Sequence, residues 1–155
     1  MSRLRGRGRR EKVPRVPRKN LNADENVPML TFGAASNFTV FREALSVACL
    51  EKYGNLGRII KEDGYYDVPE VNRDDYQPPE EEREDPRIVY FYDQDYLEAL
   101  KLRRREIRKM DAQKPSLYAY LMSKLSPESI NQIERDLAYP QFSEAVDPLG
   151  LWKAI

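Results

Sequence analysis

Residues 115–139 read PSLYAYLMSKLSPESINQIERDLAY, and their periodicity decides the fold class. Leu117, Tyr118, Leu121 and Leu125 recur at helical spacing and fall on one face. Pro115 and Ser116 suit the opening of that helix. Ser126-Pro127 is a stop and a restart, with Ser126 as N-cap and Pro127 in the first helical position. Ile130, Ile133 and Leu137 then form a second apolar stripe. Two short helices joined so tightly must pack at an angle against a third element. The serines between them read as caps, because no base stands beside them to activate a nucleophile.

The third element lies upstream, in SNFTVFREALSVACLEKYGNLGRII, residues 36–60. Ser36 or Asn37 caps a helix whose inward face is Phe38, Phe41, Leu45 and Ala48, widened by Val40, Ala44 and Val47. Gly54 reads as its C-terminal stop, and Leu56, Ile59 and Ile60 make a short further turn. GNLGR is not a phosphate loop, since it lacks the preceding strand and the following Lys-Ser/Thr. Cys49, set among apolar residues, reads as a small buried hydrophobe.

DQDYLEALKLRRREIRKMDAQK, residues 93–114, predicts the longest helix. Asp93 is its cap, acids fill the first turn and bases the second half, as the helix dipole favours. Leu97, Leu100, Ile107 and Met110 give a thin apolar seam interrupted by Arg104. A basic amphipathic helix can lie on nucleic acid or on a membrane surface. The simpler expectation is a surface helix whose arginines pair with acids just upstream. Those acids sit in KEDGYYDVPEVNRDDYQPPEEEREDP, a proline-rich stretch without helical period that reads as a linker. RIVYFY, residues 87–92, reads as a brief extended piece.

Charge is segregated along the chain although 26 bases balance 26 acids. Residues 1–19 hold nine bases and one acid, residues 62–85 eleven acids and two bases, and residues 101–114 seven bases and two acids. The first block, with Gly6, Gly8, Pro14 and Pro17, cannot pack a core and is expected to be a disordered arm. Arg3, Arg5, Arg7, Arg9, Arg10, Lys12, Arg15, Arg18 and Lys19 are its candidate nucleic-acid contacts, because guanidinium and ammonium groups neutralise phosphates and release counterions. A solubilising tail and a nuclear localisation signal stay open as alternatives.

The composition is thin in chemistry. One cysteine cannot close an internal disulfide, and no histidine is present to act as a general base or complete a His-containing zinc set. No catalytic residues, metal site, cofactor or small-molecule substrate are expected. No stretch approaches the roughly 20 apolar residues that span a bilayer, and the basic N-terminus lacks an apolar core of a secretory signal. Neither a membrane partner nor secretion is expected. The expected location is the cytoplasm, or the nucleus if the arm serves as a localisation signal.

DPLGLWKAI, residues 147–155, opens one more helix, with Asp147 as N-cap and Pro148 in the first turn. Leu149, Trp152 and Ile155 share a face at helical spacing. A helix of about two turns is marginal alone, so Trp152 is expected to be only partly shielded and this face to promote self-association.

Together, EKYGNLGRII (51–60), KMDAQKPSLYAYLMSKLSPESINQIERD (109–136) and DPLGLWKAI resemble the N-terminal capsid-like region of Gag polyproteins of copia-type long-terminal-repeat retrotransposons. The resemblance covers roughly residues 30–62 and 94–155. It implies an all-α, capsid-like helical bundle that self-assembles and packages RNA. One cysteine and no histidine leave no zinc knuckle, so RNA contact falls to the arm. The expected organisation is a basic arm over 1–28, a helical segment over 29–62, an acidic linker over 63–92 and a helical Gag-like segment over 93–155 that stops partway, as in a truncated or degenerate copy. The alternative is a non-enzymatic cellular adaptor that uses the arm and the acidic linker to hold partners.

Overall fold

The computed structural model describes residues 26–32 and 36–155, which are mostly helical and contain no strand. The expected all-α class holds. Arg3 to Lys19 lie outside the described residues. Val27, assigned from sequence to the arm, is instead only 8% exposed and belongs to the core. The helices are α1 (Phe38–Tyr53), α2 (Ile59–Glu62), α3 (Pro86–Ser123), α4 (Pro127–Glu134), α5 (Tyr139–Ala145) and α6 (Pro148–Ala154).

Phe41, Leu45, Ala48 and Cys49 of α1 are fully buried. Val40 and Val47, read as widening the inward stripe, are exposed, because the buried face turns toward Cys49 rather than toward them. Gly54 ends α1 with a positive φ of 55°. A tight 3-10 turn, Gly54–Arg58, then folds the chain back onto α1. Gly57 makes this possible: a Cβ there would lie 2.2 Å from the Cys49 carbonyl oxygen. Leu56, Ile59 and Ile60 are delivered to the core by that turn, all fully buried.

α3 corrects two readings. It begins at Pro86, not Asp93, with the Asp85 carboxylate accepting the Arg87 N–H at 2.9 Å. Asp-Pro is a strong start signal, and it carries RIVYFY into the helix instead of an extended piece. The helix also runs through Pro115 rather than restarting there. Proline removes one backbone donor and costs about 3 kcal/mol in a helix interior. Met110 before it and Leu117 and Leu121 after it are all buried in the same core, which holds the two halves in line.

Residues 63–85 do not divide the folded material; they form a strap along the first half of α3. Arg73 pairs with Asp93 and stacks its guanidinium 4.5 Å from the Tyr96 ring centre. Tyr76 packs on Tyr96 with centroids 5.9 Å apart. Arg103 donates to the Pro69 carbonyl at 3.2 Å. At its start the strap enters the core: the half-buried Tyr65 hydroxyl donates to the Asp147 carboxylate and accepts the Leu149 N–H at 3.5 Å. Burial, with Asp147 as hydrogen-bond partner, holds the Tyr65 phenol well above its ordinary value.

The C-terminal helices close the core. Ser126 caps α4, accepting the Ser129 N–H at 3.2 Å. The same corner clips the N-terminal segment: Leu30 donates to the Lys124 carbonyl at 2.8 Å, and its own carbonyl accepts the Ser126 N–H at 3.1 Å. Leu137 is not part of the α4 stripe. The helix ends at Glu134, the Asp136 carboxylate accepts the Ala138 N–H at 2.8 Å in a turn, and Leu137 is fully exposed there. Asp147 caps α6 as expected. The buried residues of α6, however, are Pro148, Leu151 and Trp152, with Leu149 and Ile155 half-buried. Trp152 is 4% exposed, stacked on Phe38 with centroids 6.0 Å apart, so the expected partial shielding does not hold.

Candidate nucleic-acid interface

The strap gives α3 two different sides. Tyr92, Tyr96, Leu100 and Ile107 are half-buried on the covered side, leading to buried Met110. Leu97, read from sequence as part of this seam, is on the opposite side and 47% exposed, as is Leu102 at 55%. The open side carries Lys101, Arg104, Arg105, Arg108 and Lys109, all exposed. Their spacing of i, i+3, i+4, i+7 and i+8 places them on one face over about 12 Å of helix.

The expected pairing of these cations with the acidic strap does not occur. Among the described residues none of the five makes an ion pair. The bases of α3 that do meet the strap do so without its carboxylates: Arg103 donates to a backbone carbonyl, and the Lys114 ammonium lies 4.5 Å from the Tyr65 ring centre. The physical reason is geometric. The strap is held to the covered side by ring stacking, the Arg73–Asp93 pair and the Arg103 hydrogen bond, and the cations sit on the face turned away from it. Five like-charge pairs at i,i+3 or i,i+4 therefore face each other along the stripe, at a cost of roughly 0.2–0.5 kcal/mol each. A bound polyanion relieves that repulsion.

The stripe continues toward the N-terminal end of α3 as a different surface. Tyr90 and Phe91 are 58% and 64% exposed and lie edge to face at 5.8 Å. Asp95 and Glu98 are exposed beside them, and the strap residues Glu80, Glu81, Glu82 and Glu84 are exposed just before the helix begins. One helix thus displays an acidic, aromatic half and a basic half.

The other predicted site residues are dispersed. The arm cations lie outside the described residues. Leu149, Trp152 and Ile155 pack on this chain's own core, which removes the exposed apolar surface on which their self-association reading stood. The five-cation stripe was visible in the sequence as a basic second half of a helix; its freedom from the strap was not, because that depends on which side the strap covers. Among the described residues no group of three His, Cys, Asp or Glu side chains is arranged to hold a metal ion, and no helix is long and apolar enough to cross a membrane. Compared with known protein families, curated proteins and solved structures, the chain matches none.

Proposed function

We propose that the chain is a non-enzymatic structural protein that binds nucleic acid, with the exposed stripe of α3 and the basic arm as its two contacts. The observation that carries this reading is the stripe: five cations on one helix face, exposed and without acidic partners among the described residues. Such a face neutralises consecutive phosphates and gains by counterion release. The finer reading, that the chain is a Gag-like protein that packages RNA and assembles, rests on the resemblance of residues 51–60, 109–136 and 147–155 and on the all-α architecture. The adaptor reading uses the same arm but needs the acidic strap as a partner surface; its exposed carboxylates leave that reading standing as the alternative.

A gel-shift titration with a single-stranded RNA at two salt concentrations tests the proposal. Neutralising Lys101, Arg104, Arg105, Arg108 and Lys109 to glutamine should weaken binding and reduce the slope of log affinity against log salt by up to about 0.7 per cation. Deleting residues 1–25 should reduce it further. Unchanged affinity and slope in both variants would sink the proposal.

A further inference from the structure

We infer that the open face of α3 takes a single strand of nucleic acid, whose unpaired bases stack on Tyr90 and Phe91 while the cations hold its phosphates. This rests on the nucleic-acid reading and narrows its ligand from any polyanion to a strand with bases free to stack. About 18 residues make five turns of an α-helix, so side chains that far apart in sequence point the same way. Arg87 therefore lies on the line of Arg105, Tyr90 on the line of Arg108, and Phe91 on the line of Lys109. The aromatic pair and the basic stripe share one face, about 33 Å long from Arg87 to Lys109. Gln94, Leu97 and Glu98 fill the interval between them, all exposed.

The core does not use the pair. Neither ring is among the buried residues or those packed against them, and both are more than half exposed, side by side. With Pro86 and Arg87 they line an open recess of about 290 Å³. Exposed rings beside a row of cations suit a single strand: the cations track the backbone, and every base offers a face to stack on, whatever its identity. A duplex cannot use the rings this way, because its bases are already stacked on one another and show only their edges. Charge decides which part of the strand goes where. Asp95 and Glu98 are exposed between the rings and the stripe, and Glu80, Glu81, Glu82 and Glu84 just before the helix. Carboxylates repel phosphates but not the faces of uncharged bases. Phosphates gather on the five cations and on Arg87, which is exposed and makes no ion pair among the described residues. The rings are left to the bases.

The test is fluorescence anisotropy of the full chain with a labelled single-stranded RNA of about 12 nucleotides and with the duplex of the same sequence, at about 50 and 200 mM salt. The wild type should bind the single strand more tightly than the duplex. Tyr90→Ala/Phe91→Ala should weaken single-strand binding at least about fivefold, by the same factor at both salt concentrations, because stacking releases no counterions. Duplex binding should stay as it is. Alanine favours helix, and circular dichroism checks that α3 is intact. Phe91→Trp keeps a ring and should retain the affinity; its added indole should be quenched by the single strand and not by the duplex. Should the alanine variant misfold, that quenching decides alone. An alanine variant that binds the single strand as the wild type does, one that loses as much affinity for the duplex, or an added indole left unquenched overturns the inference. The nucleic-acid reading survives each of these outcomes if glutamine at the five cations still weakens binding. A wild type that binds neither strand nor duplex sinks that reading, and the inference with it.

Discussion

The indole N–H of Trp152 donates to the Asp63 carboxylate at 2.9 Å, which ties α6 to the end of α2. Asp63 is the left-handed C-cap of α2, with φ 55°, and the same carboxylate meets Arg42 at 3.2 Å. Arg42 in turn donates to the Ile60 carbonyl at 3.1 Å, so one arginine and one aspartate gather the last turn of α2, α1 and Trp152. The Arg42 pair is more than a third exposed on both sides and contributes less than about 1 kcal/mol. The indole bond is the stronger tie. Asp63→Gly keeps the left-handed backbone and removes the acceptor; it should cost about 1–2 kcal/mol, the lost bond being partly offset by relief of the positive φ. Asp63→Asn, which retains an acceptor oxygen, should cost less. An Asp63→Gly variant more stable than Asp63→Asn by the full cost of a left-handed residue, about 1–2 kcal/mol, would show that the bond contributes nothing. In the wild type, acrylamide should quench Trp152 weakly, as its 4% exposure requires.

Tyr65 gives the fold a pH dependence at the alkaline end. Its phenol is held above the ordinary 10.0 by burial first, then by the hydrogen bond to Asp147. A folded-state value raised above the unfolded one means that the unfolded chain releases the proton more readily. The stabilisation is therefore complete below about pH 10 and declines as pH rises above it. Tyr65→Phe should lower stability by about 1 kcal/mol at neutral pH and should lack the part of the alkaline decline that Tyr65 causes. Chemical denaturation at pH 8 and pH 11 measures both. A decline as steep in Tyr65→Phe as in the wild type would assign it to other groups.

Pro115 sits in the interior of α3 with its side chain exposed. The ring makes no buried packing, so its removal leaves no cavity, and alanine restores the missing donor. Pro115→Ala should stabilise the protein by about 2 kcal/mol, the interior cost of proline less the gain in unfolded-chain entropy. If the midpoint falls instead, a bend at Pro115 is needed to bring Met110 and Leu117 into one core.

The same proline shows what the sequence discloses and what it does not. Local rules correctly placed Ser126, Gly54 and Asp147 at helix ends, because a cap bonds only its immediate neighbours. They misplaced the start of α3 because two Asp residues, Asp85 and Asp93, both suit a cap, and only Pro86 after the first decides between them. They opened a helix at Pro115 because the force that carries α3 through it comes from Leu117, Leu121 and Met110 meeting α1, a contact across more than sixty positions of chain. Leu97 was placed inside for a related reason. The seam of α3 is defined by the strap, and a strap of acids and prolines has no periodicity to announce where it lies. The basic character of the stripe was legible; which side of the helix it occupied was not.

The stripe itself makes a prediction of opposite sign to its effect on binding. Lys101, Arg104, Arg105, Arg108 and Lys109 repel one another along an exposed face and make no ion pair among the described residues. A surface laid down only for stability does not take this form. Neutralising all five to glutamine should therefore raise stability at low salt by roughly 0.4–1 kcal/mol, since the opposite-charge i,i+3 neighbours Glu98–Lys101, Glu106–Lys109 and Arg108–Asp111 offset part of the repulsion among the like-charge pairs. At 1 M salt, where the screening length falls to about 3 Å, the gain should largely vanish. The measurement is urea denaturation of wild type and variant at the two salt concentrations. A variant less stable than the wild type at low salt would mean that the cations have partners in the folded chain, and the stripe would lose its standing as a surface kept open for a ligand.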